Sequence, residues 1–513
     1  MARINSNIPS LIARSNLNKA NADLSTRLQR LSTGLRINRG SDDPAGLIIS
    51  QRLGSEISGL QQAIKNSERA SSVISTTEGS LAEANDLLNS IRGLVVEAAN
   101  TGAISDDERE ANQLQINSAI ESITRISNSA SFGGLKLLNG SLDYILSGVR
   151  SSAISKAQIF NANFAGATSI NVGVQTIASA QTGQLFLRGD LTTGIIASTV
   201  TLEIAGTKGV TTLQFLSGTT YAAVAAAINT FKEATGVSAS LNNGNALSGL
   251  VFAASEYGSS PFVSVKRLNE TPGVASSFAT YALTSGSARP ASINIPALIT
   301  AGTMIQSTRD SGRDVFALVN GVLGTGNGLK LSLPSSTTIG LELILNRDLA
   351  IRNGATTTFD ITGGGALYQL GGDINISQQI NLGLPSIAAS KLGGTLNSTA
   401  TLDFLDSLKS GGVNDLKSKN FEQATRVLNS ALDEISRLRG RLGALEKNTL
   451  DTNVRSIQTA VENLTSSQST IRDADFAAET SALTRAQILT SASTSTLSLA
   501  NQQAQSVLQL LRQ

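Results

Sequence analysis

The chain has 513 residues, 40% of them apolar but only 4% aromatic, so it is long enough for several domains with aliphatic cores. It contains no histidine and no cysteine, which excludes disulfides, thiolate or imidazole metal ligands, and Ser-His-Asp or Cys-His catalysis. The 40 basic and 38 acidic residues nearly cancel and form no dense basic run, so nucleic acid is not an expected partner. An enzyme that works through carboxylate, lysine or tyrosine chemistry stays possible at this point.

Leucines that recur three and four residues apart predict the first helix. This helix is expected to end near residue 33. This apolar stripe, the N-terminal seam, consists of Leu24, Leu28, Leu31 and Leu35. A polar connector follows it. Such a narrow stripe is typical of a helix in long coiled-coil contact.

Two further helices are predicted in the N-terminal arm. Asp43 and Pro44 indicate the start of a long helix over 44–101, since aspartate is a good N-cap and proline fits the first turn. Gly102 follows as a residue free to adopt a left-handed cap. The capping-box pattern from Ser105 predicts the next helix over 105–129.

The middle of the chain differs in composition. Residues 141–400 hold six of the eight prolines and most of the glycines, with abundant Ser, Thr and β-branched residues. This composition predicts short strands joined by tight turns. Gly321 to Lys330 resembles a phosphate-binding loop, but Leu329 interrupts the required Gly-Lys-Ser/Thr, so a hairpin turn is the better interpretation.

The C-terminal arm is again predicted to be helical, as one long or two consecutive helices over 414–513, because it contains no proline and only two glycines. Its end carries a second stripe, the C-terminal seam, which consists of Leu497, Ala500, Ala504, Val507 and Leu511. Small residues such as Ala20, Ala500 and Ala504 lie along the two terminal helices and bury little area. Neither terminal seam has a partner within its own segment, so we expect both to fold against copies of the chain. For the inner seams, such as Leu81 to Val95, an ordinary helical bundle is an equal alternative.

A membrane-spanning segment is not expected, because no stretch approaches 18 consecutive apolar residues. The N-terminal residues contain no apolar core of a secretory signal peptide. Membrane insertion is therefore not predicted.

Several motifs resemble those of bacterial flagellin. In the N-terminal arm these are LSTGLRIN from Leu31, DDPAG from Asp42 and FGGLKLLNG from Phe132. In the C-terminal arm they are LRGRLGA from Leu438, STIRDADFA from Ser469, RAQIL from Arg485 and VLQLLR from Val507. They occur in the family's order at opposite ends of the chain.

The resemblance implies an α+β fold in which long N- and C-terminal helices pair as a coiled coil and helical rod, while a central β-rich insert projects outward. The implied domains are 1–45 for the inner tube and connector, 46–180 for the N-terminal part of the rod with a hairpin, 181–400 for the outer insert, 401–470 for the C-terminal part of the rod, and 471–513 for the inner-tube helix. Residues 199–268 resemble the strand–helix–strand module of flagellins and hook-associated proteins.

The implied function is a structural subunit that self-assembles into the extracellular flagellar filament used for swimming. Such a subunit is not an enzyme, and no catalytic, cofactor or metal site is implied. The implied partners are other copies of the chain, hook-associated junction and cap proteins, and the flagellar type III export apparatus with its chaperone. A hook–filament junction protein is the alternative, and a binding role of the insert stays open.

One further stretch resembles the flagellin epitope of an innate immune receptor, and Arg92 and Leu94 are retained in it. However, Ser90 and Gly93 replace an expected Arg and Glu, and Gln115 replaces an expected Glu. Because those charges would make charge-assisted hydrogen bonds, we expect a weakened receptor site.

Overall fold

The computed structural model describes residues 6–164, 166–188, 192–269, 278–284, 293–333, 339–397 and 401–510. Of Ala504 and residues 507–510 it describes the backbone only. The chain divides into two compact units. The smaller comprises 1–72, 368–379 and 443–513, and the larger 73–367 and 380–442. Among the described residues, no helix is long and apolar enough to span a membrane.

The helices concentrate in the two arms, as the sequence predicts. They are α1 Ile8–Thr33, α2 Pro44–Ala98, α3 Asp106–Ser129, α4 Tyr221–Thr230, α5 Lys232–Thr235, α6 Ile295–Thr300, α7 Arg347–Ala350, α8 Phe421–Leu445, α9 Asp451–Arg472 and α10 Phe476–Leu510. One π-helical turn, Glu446–Leu450, joins α8 to α9.

The helix starts follow the predicted caps. The Asp43 carboxylate accepts a hydrogen bond from the Gly46 N–H at 2.9 Å, so Asp43 caps α2. Ser105 and Glu108 form a capping box at the start of α3, each side chain accepting from the other's backbone N–H. These contacts are local, and for that reason the sequence was sufficient to predict them.

Two helix ends differ from the prediction. Helix α2 ends at Ala98, not 101, and Gly102 is not among the glycines with positive φ. The C-terminal arm is interrupted at Asp473, where the backbone is extended. There the Asp475 carboxylate accepts from the N–H groups of Ala477 and Ala478 at 2.9 and 3.1 Å and caps α10. The arm therefore forms separate helices on either side of this cap.

The strands fill the middle of the chain. They are β1 Ser131–Phe132, β2 Leu135–Lys136, β3 Tyr144–Ser147, β4 Ile154–Ala162, β5 Ile170–Ala178, β6 Gln184–Leu187, β7 Val200–Gly206, β8 Val210–Phe215, β9 Val237–Leu241, β10 Leu250–Ala254, β11 Phe262–Arg267, β12 Thr280–Leu283, β13 Met304–Gln306, β14 Arg309–Ser311, β15 Phe316–Val319, β16 Val322–Leu323, β17 Thr325–Asn327, β18 Lys330–Leu333, β19 Ile339–Leu345, β20 Thr356–Gly364, β21 Ala366–Gln369, β22 Gln379–Leu382, β23 Thr395–Leu396 and β24 Leu402–Asp403.

Two pairs of antiparallel sheets build two β-rich cores in the larger unit. One pair has the orders β16-β15-β5-β20-β3 and β17-β18-β19-β4, with Val172, Phe359 and Leu343 fully buried among its core residues. The other has the orders β13-β12-β6-β10-β9 and β14-β11-β7-β8, and α4 packs into its core through Val224 and Ile228. The central β-rich region is thus confirmed.

The boundary predicted at residue 180 is wrong for the structure. Strands β3, β4 and β5 lie within 144–178 and pair with β19 and β20, which follow about 180 to 220 residues later. Residues 144–180 therefore belong to the β-rich part, not to the helical rod. The glycine-rich segment after Val319 forms hairpins, with Asn320 and Gly321 at positive φ in the two-residue turn between β15 and β16.

Helices of the larger unit bury apolar faces as well. The inner-seam residues Leu81, Ala84, Leu88, Ile91 and Val95 are all at most 1% exposed. Helix α3 buries three isoleucines, and α8 buries a stripe from Ala424 to Leu442. Arg439 on α8 forms an ion pair with Glu78 on α2 at 3.7 Å. Three helices that each bury a face favour a helical bundle for this region.

Candidate assembly surface

The two ends of the chain meet as a helix pair within the smaller unit. The Asn7 side-chain amide at the start of α1 donates to the Ala500 carbonyl at 3.1 Å. At the other end of α1, the Arg27 guanidinium contacts the Glu479 carboxylate at 3.3 Å. Because the start of α1 lies beside the end of α10, the helices are antiparallel. The predicted pairing of the termini is observed in this unit.

The contact stripe of α1 differs in part from the N-terminal seam. Leu24 and Leu31 are half-buried, but Leu28 is 49% exposed. Arg27 takes the intervening contact position instead. Leu35 lies beyond the end of α1, half-buried, in an isolated β-bridge with Asp473.

The contact stripe of α10 follows the C-terminal seam where it is described. Ala500 is buried at 9% exposure and Leu497 is half-buried. The side chains of Ala504 and Val507, and all of Leu511, lie outside the described residues. Earlier in α10, Ala486 is 1% exposed and continues the stripe toward the Arg27 contact.

The Arg27–Glu479 ion pair is the polar element of this pairing. Glu479 is only 8% exposed, and Arg27 also contacts Asp23 at 3.1 Å. Burial opposes the charge of Arg27, but the facing carboxylates outweigh it and raise the pKa of its guanidinium. The sequence did not predict this pair, because the leucine spacing indicated Leu28, and not Arg27, as a contact residue of α1.

The connector after α1 is fixed by backbone hydrogen bonds. Gly34 ends α1 in the left-handed conformation, with φ 72°. Its carbonyl accepts from the Ala474 N–H at 2.9 Å, and the Arg36 N–H donates to the Arg472 carbonyl at 2.7 Å. Farther along, N–H groups of Arg39 and Asn38 donate to the Asp42 carboxylate, which lowers the pKa of Asp42. The chain therefore turns between α1 and α2 along a defined path.

Large apolar side chains remain exposed around this pair. They lie on the outer faces of α1, the start of α2 and α10, and each is about half or more exposed: Ile8, Leu11, Ile12, Leu28, Ile48, Ile49, Phe476, Ile488, Leu489 and Leu499. These exposed apolar side chains on paired helices make the pair a candidate surface for contact with other protein.

The receptor-like stretch lies on helices of the larger unit. Arg92 and Gln115 are exposed, and Leu94 is half-buried. Val95 is 1% exposed and packs inward. Arg92 and Leu94 share α2, whereas Gln115 belongs to α3.

Three regions of the chain match family descriptions. Residues 4–143 match the bacterial flagellin N-terminal helical region, and residues 425–511 match the bacterial flagellin C-terminal helical region. Residues 199–256 match the flagellin hook IN motif, which covers β7 to β10 with α4.

The chain is also similar to flagellins over its whole length. It is 30% identical to a flagellin of Salmonella typhimurium and 32% identical to the B-type flagellin of Pseudomonas aeruginosa, each alignment covering 99% of both chains. Among solved structures, flagellar hook associated protein-3 from Legionella pneumophila covers 83% of this chain and 98% of its own at 13% identity and a TM-score of 0.29, too low to establish a shared fold. From the family matches and the two full-length similarities, the chain belongs to the bacterial flagellin family.

Proposed function

We infer that this chain is the structural subunit of the bacterial flagellar filament. The observation that carries this inference is the full-length similarity to flagellins at 30% identity or more. The exposed apolar side chains of α1, α2 and α10 supply a surface for contact between copies. A subunit of this kind acts by assembling, without catalysis. No observation favours the alternative of a hook–filament junction protein.

We further propose how the subunit assembles. Helix α1 buries few of its side chains fully, with Ala13 its one residue described as buried. Isolated helices with little burial are marginal in water. The α1–α10 pair is therefore stabilised mainly when neighbouring copies cover its outer faces, and assembly draws the folding equilibrium forward by mass action.

The terminal seams are proposed to form the inner tube of the filament. In this assignment 1–45 and 471–513 form the tube with its connector, and the helices that follow form the rod around it. The β-rich insert projects outward. In this proposal Leu24, Leu31, Leu497 and Ala500 hold the helix pair, and Leu35 holds the connector against Asp473. Leu28 faces a neighbouring copy. Ala504, Val507 and Leu511 are proposed to continue the stripe.

Membership of the family supports a proposal for partners other than copies of the chain. We propose that the chain leaves the cell unfolded through the flagellar export apparatus with its chaperone, and that it meets hook-associated junction and cap proteins at the filament ends. A chain without cysteine cannot form chance disulfides during such export.

Seeded polymerisation tests the proposed function. Purified full-length protein is added to short filament seeds and imaged by negative-stain electron microscopy. Long, uniform filaments growing from the seeds are the expected result. Seeds that stay short under conditions in which a known flagellin elongates them would indicate the junction protein instead.

A further inference from the structure

A short segment of the insert belongs to the smaller unit. This segment, 368–379, is named the tongue here. The Asn453 side-chain amide on α9 donates to the Leu370 carbonyl of the tongue at 2.8 Å, and Leu370 is buried. Gly372 lies directly against Gly59 on α2, so closely that a Cβ on Gly59 would be 3.3 Å from the Gly372 carbonyl oxygen. The base of the tongue is therefore held on both helices.

The rest of the tongue is stiffened by its own glutamines. The Gln369 side-chain amide donates to the carbonyls of Gly371 and Asp373 at 3.0 and 2.7 Å. The Gln378 side-chain carbonyl accepts from the Asp373 N–H at 2.8 Å, and the Leu370 N–H donates to the Gln378 carbonyl at 2.8 Å. A loop fixed in this way loses little conformational entropy when it binds a partner.

An isoleucine stands at the tip of this stiff loop. Ile374 is 89% exposed, the highest value among the large apolar side chains described, and Ile376 beside it is 44% exposed. A single exposed apolar residue is ordinary on a mobile loop. One presented on a fixed scaffold has the arrangement of an anchor residue at a protein interface.

A hollow of about 360 Å³ lies between α2 and α9. It is close to the base of the tongue, because the Asn453 amide donates to both Ser67 of its lining and the Leu370 carbonyl. Leu450 and Val454 form its apolar part, at and just after the π-helical turn. Its remaining lining residues are polar or charged: Ser67, Glu68, Ser71, Asp451 and Arg455. No tongue residue lines it, and the exposure of Ile374 shows that this side chain does not fill the hollow of its own chain.

We propose that the tongue is a contact between subunits, in which Ile374 of one subunit enters the α2–α9 hollow of a second copy. The proposal rests on the filament function proposed above. The partner is a second copy because the hollow and the tongue lie in the same compact unit as the exposed apolar side chains of α1 and α10, through which copies are proposed to meet. When one subunit offers the anchor and its neighbour offers the hollow, the contact is head-to-tail, and a head-to-tail contact that does not close into a ring propagates into a helical filament.

Cross-linking between single-cysteine variants tests the contact, and the natural chain contributes no cysteine of its own. Full-length Ile374→Cys and Arg455→Cys subunits are mixed, polymerised on seeds and oxidised. We expect a disulfide-linked heterodimer in filaments and none in the unpolymerised mixture. Ser466→Cys, an exposed position farther along α9, replaces Arg455→Cys as the control and gives no heterodimer. Filaments without the Ile374–Arg455 cross-link, or with equal cross-linking at Ser466, overturn the proposal.

A substitution gives an independent measurement. Ile374→Asp raises the concentration needed for filament growth by about tenfold, because the apolar contact with Leu450 and Val454 is lost and the new carboxylate meets those of Glu68 and Asp451. Val413→Asp, at a position 64% exposed in the larger unit, leaves that concentration unchanged. Equal effects of the two variants contradict the tongue contact but leave the filament function intact. Failure of the unaltered protein to elongate seeds overturns both proposals.

Discussion

Gly46 shows at the scale of one residue how tightly the connector is built. A Cβ at this position would lie 2.5 Å from the Asp43 carboxylate and 2.7 Å from the Ile37 side chain. Asp43 is the cap of α2, and Ile37 is only 1% exposed. Any larger residue must therefore displace the cap, the buried side chain, or both.

Gly46→Ala is expected to lower the free energy of unfolding of the connector by about 1–3 kcal/mol, through overpacking and loss of the cap. Gly79→Ala is the matched control, since Gly79 also lies in α2 but has nothing within 4 Å of an added Cβ. There alanine is expected to stabilise by about 0.5–1 kcal/mol. Denaturant unfolding, with limited proteolysis of the connector, measures both; a Gly46→Ala chain as stable as Gly79→Ala would refute the steric account.

The buried hydroxyl of Tyr144 both donates and accepts a hydrogen bond. Its hydroxyl accepts from the Ala162 N–H at 2.8 Å and donates to the Asn381 carbonyl at 3.2 Å. Burial raises the pKa of Tyr144 to about 12, against an ordinary value of 10.0. The folded chain thus holds this proton more tightly than the unfolded chain does.

The stabilisation linked to this proton is complete below pH 10 and is lost as pH rises toward about 12, because the unfolded chain releases the proton first. In Tyr144→Phe the free energy of unfolding should fall less steeply between pH 10 and pH 12, because the contribution of Tyr144 is gone. The substitution should also cost about 1–3 kcal/mol at neutral pH, since the Ala162 N–H is left unpaired in the core. Unfolding experiments from neutral to alkaline pH check both effects, and an unchanged alkaline slope in the variant would exclude Tyr144 as the cause.

At the scale of elements, α1 has two functional faces. One face carries Arg27, which contacts Glu479 on α10, and the half-buried Leu24 and Leu31; on the other face Leu28 is 49% exposed. The sequence could not separate the two, because leucines at both positions fit a spacing of three and four. The ion pair between Arg27 and Glu479 shows which face of α1 meets α10.

Replacing a leucine on each face distinguishes pairing from assembly. Leu31→Asp is expected to separate α1 from α10 and to abolish polymerisation, because it places a charge in the half-buried stripe. Leu28→Asp should also block filament growth but leave the helix content of the monomer unchanged. Circular dichroism of the monomer and seeded electron microscopy give the two readouts. Normal filaments from Leu28→Asp would show that this face is not used in assembly.

The break between α9 and α10 was equally hidden in the sequence. Asp473 lies in the extended break, and Asp475 caps the start of α10. The interruption itself depends on the connector, since the Gly34 carbonyl and Leu35 contact Asp473 and Ala474 there. A contact across more than 400 residues leaves no local pattern.

At the scale of the whole molecule, the fold determines which residues of the receptor-like stretch are accessible to a receptor. Arg92 and Gln115 are exposed and Leu94 is half-buried, so a receptor could reach them in the monomer. The substitutions at Ser90, Gly93 and Gln115 remove charges that the resemblance associates with receptor binding. Each lost charge-assisted hydrogen bond costs about 1.5–3 kcal/mol.

Purified monomer is therefore expected to give a weak or absent response in a cell reporter of the innate receptor. The triple variant Ser90→Arg, Gly93→Glu and Gln115→Glu should raise the response, whereas Glu110→Gln, an exposed change outside the stretch, should not. A strong response from the unaltered monomer would contradict the weakening.

The sequence by itself determined the family, the helical arms, the β-rich middle and the caps at Asp43 and Ser105. These depend on motifs and on contacts between residues three or four positions apart, which a single chain displays directly. The Arg27–Glu479 ion pair is visible only in the tertiary structure, because it joins residues 452 positions apart. The tertiary structure also assigned strands 144–178 to the β-rich cores and placed the tongue on α2 and α9. Such contacts depend on which distant surfaces meet, and local periodicity does not encode that.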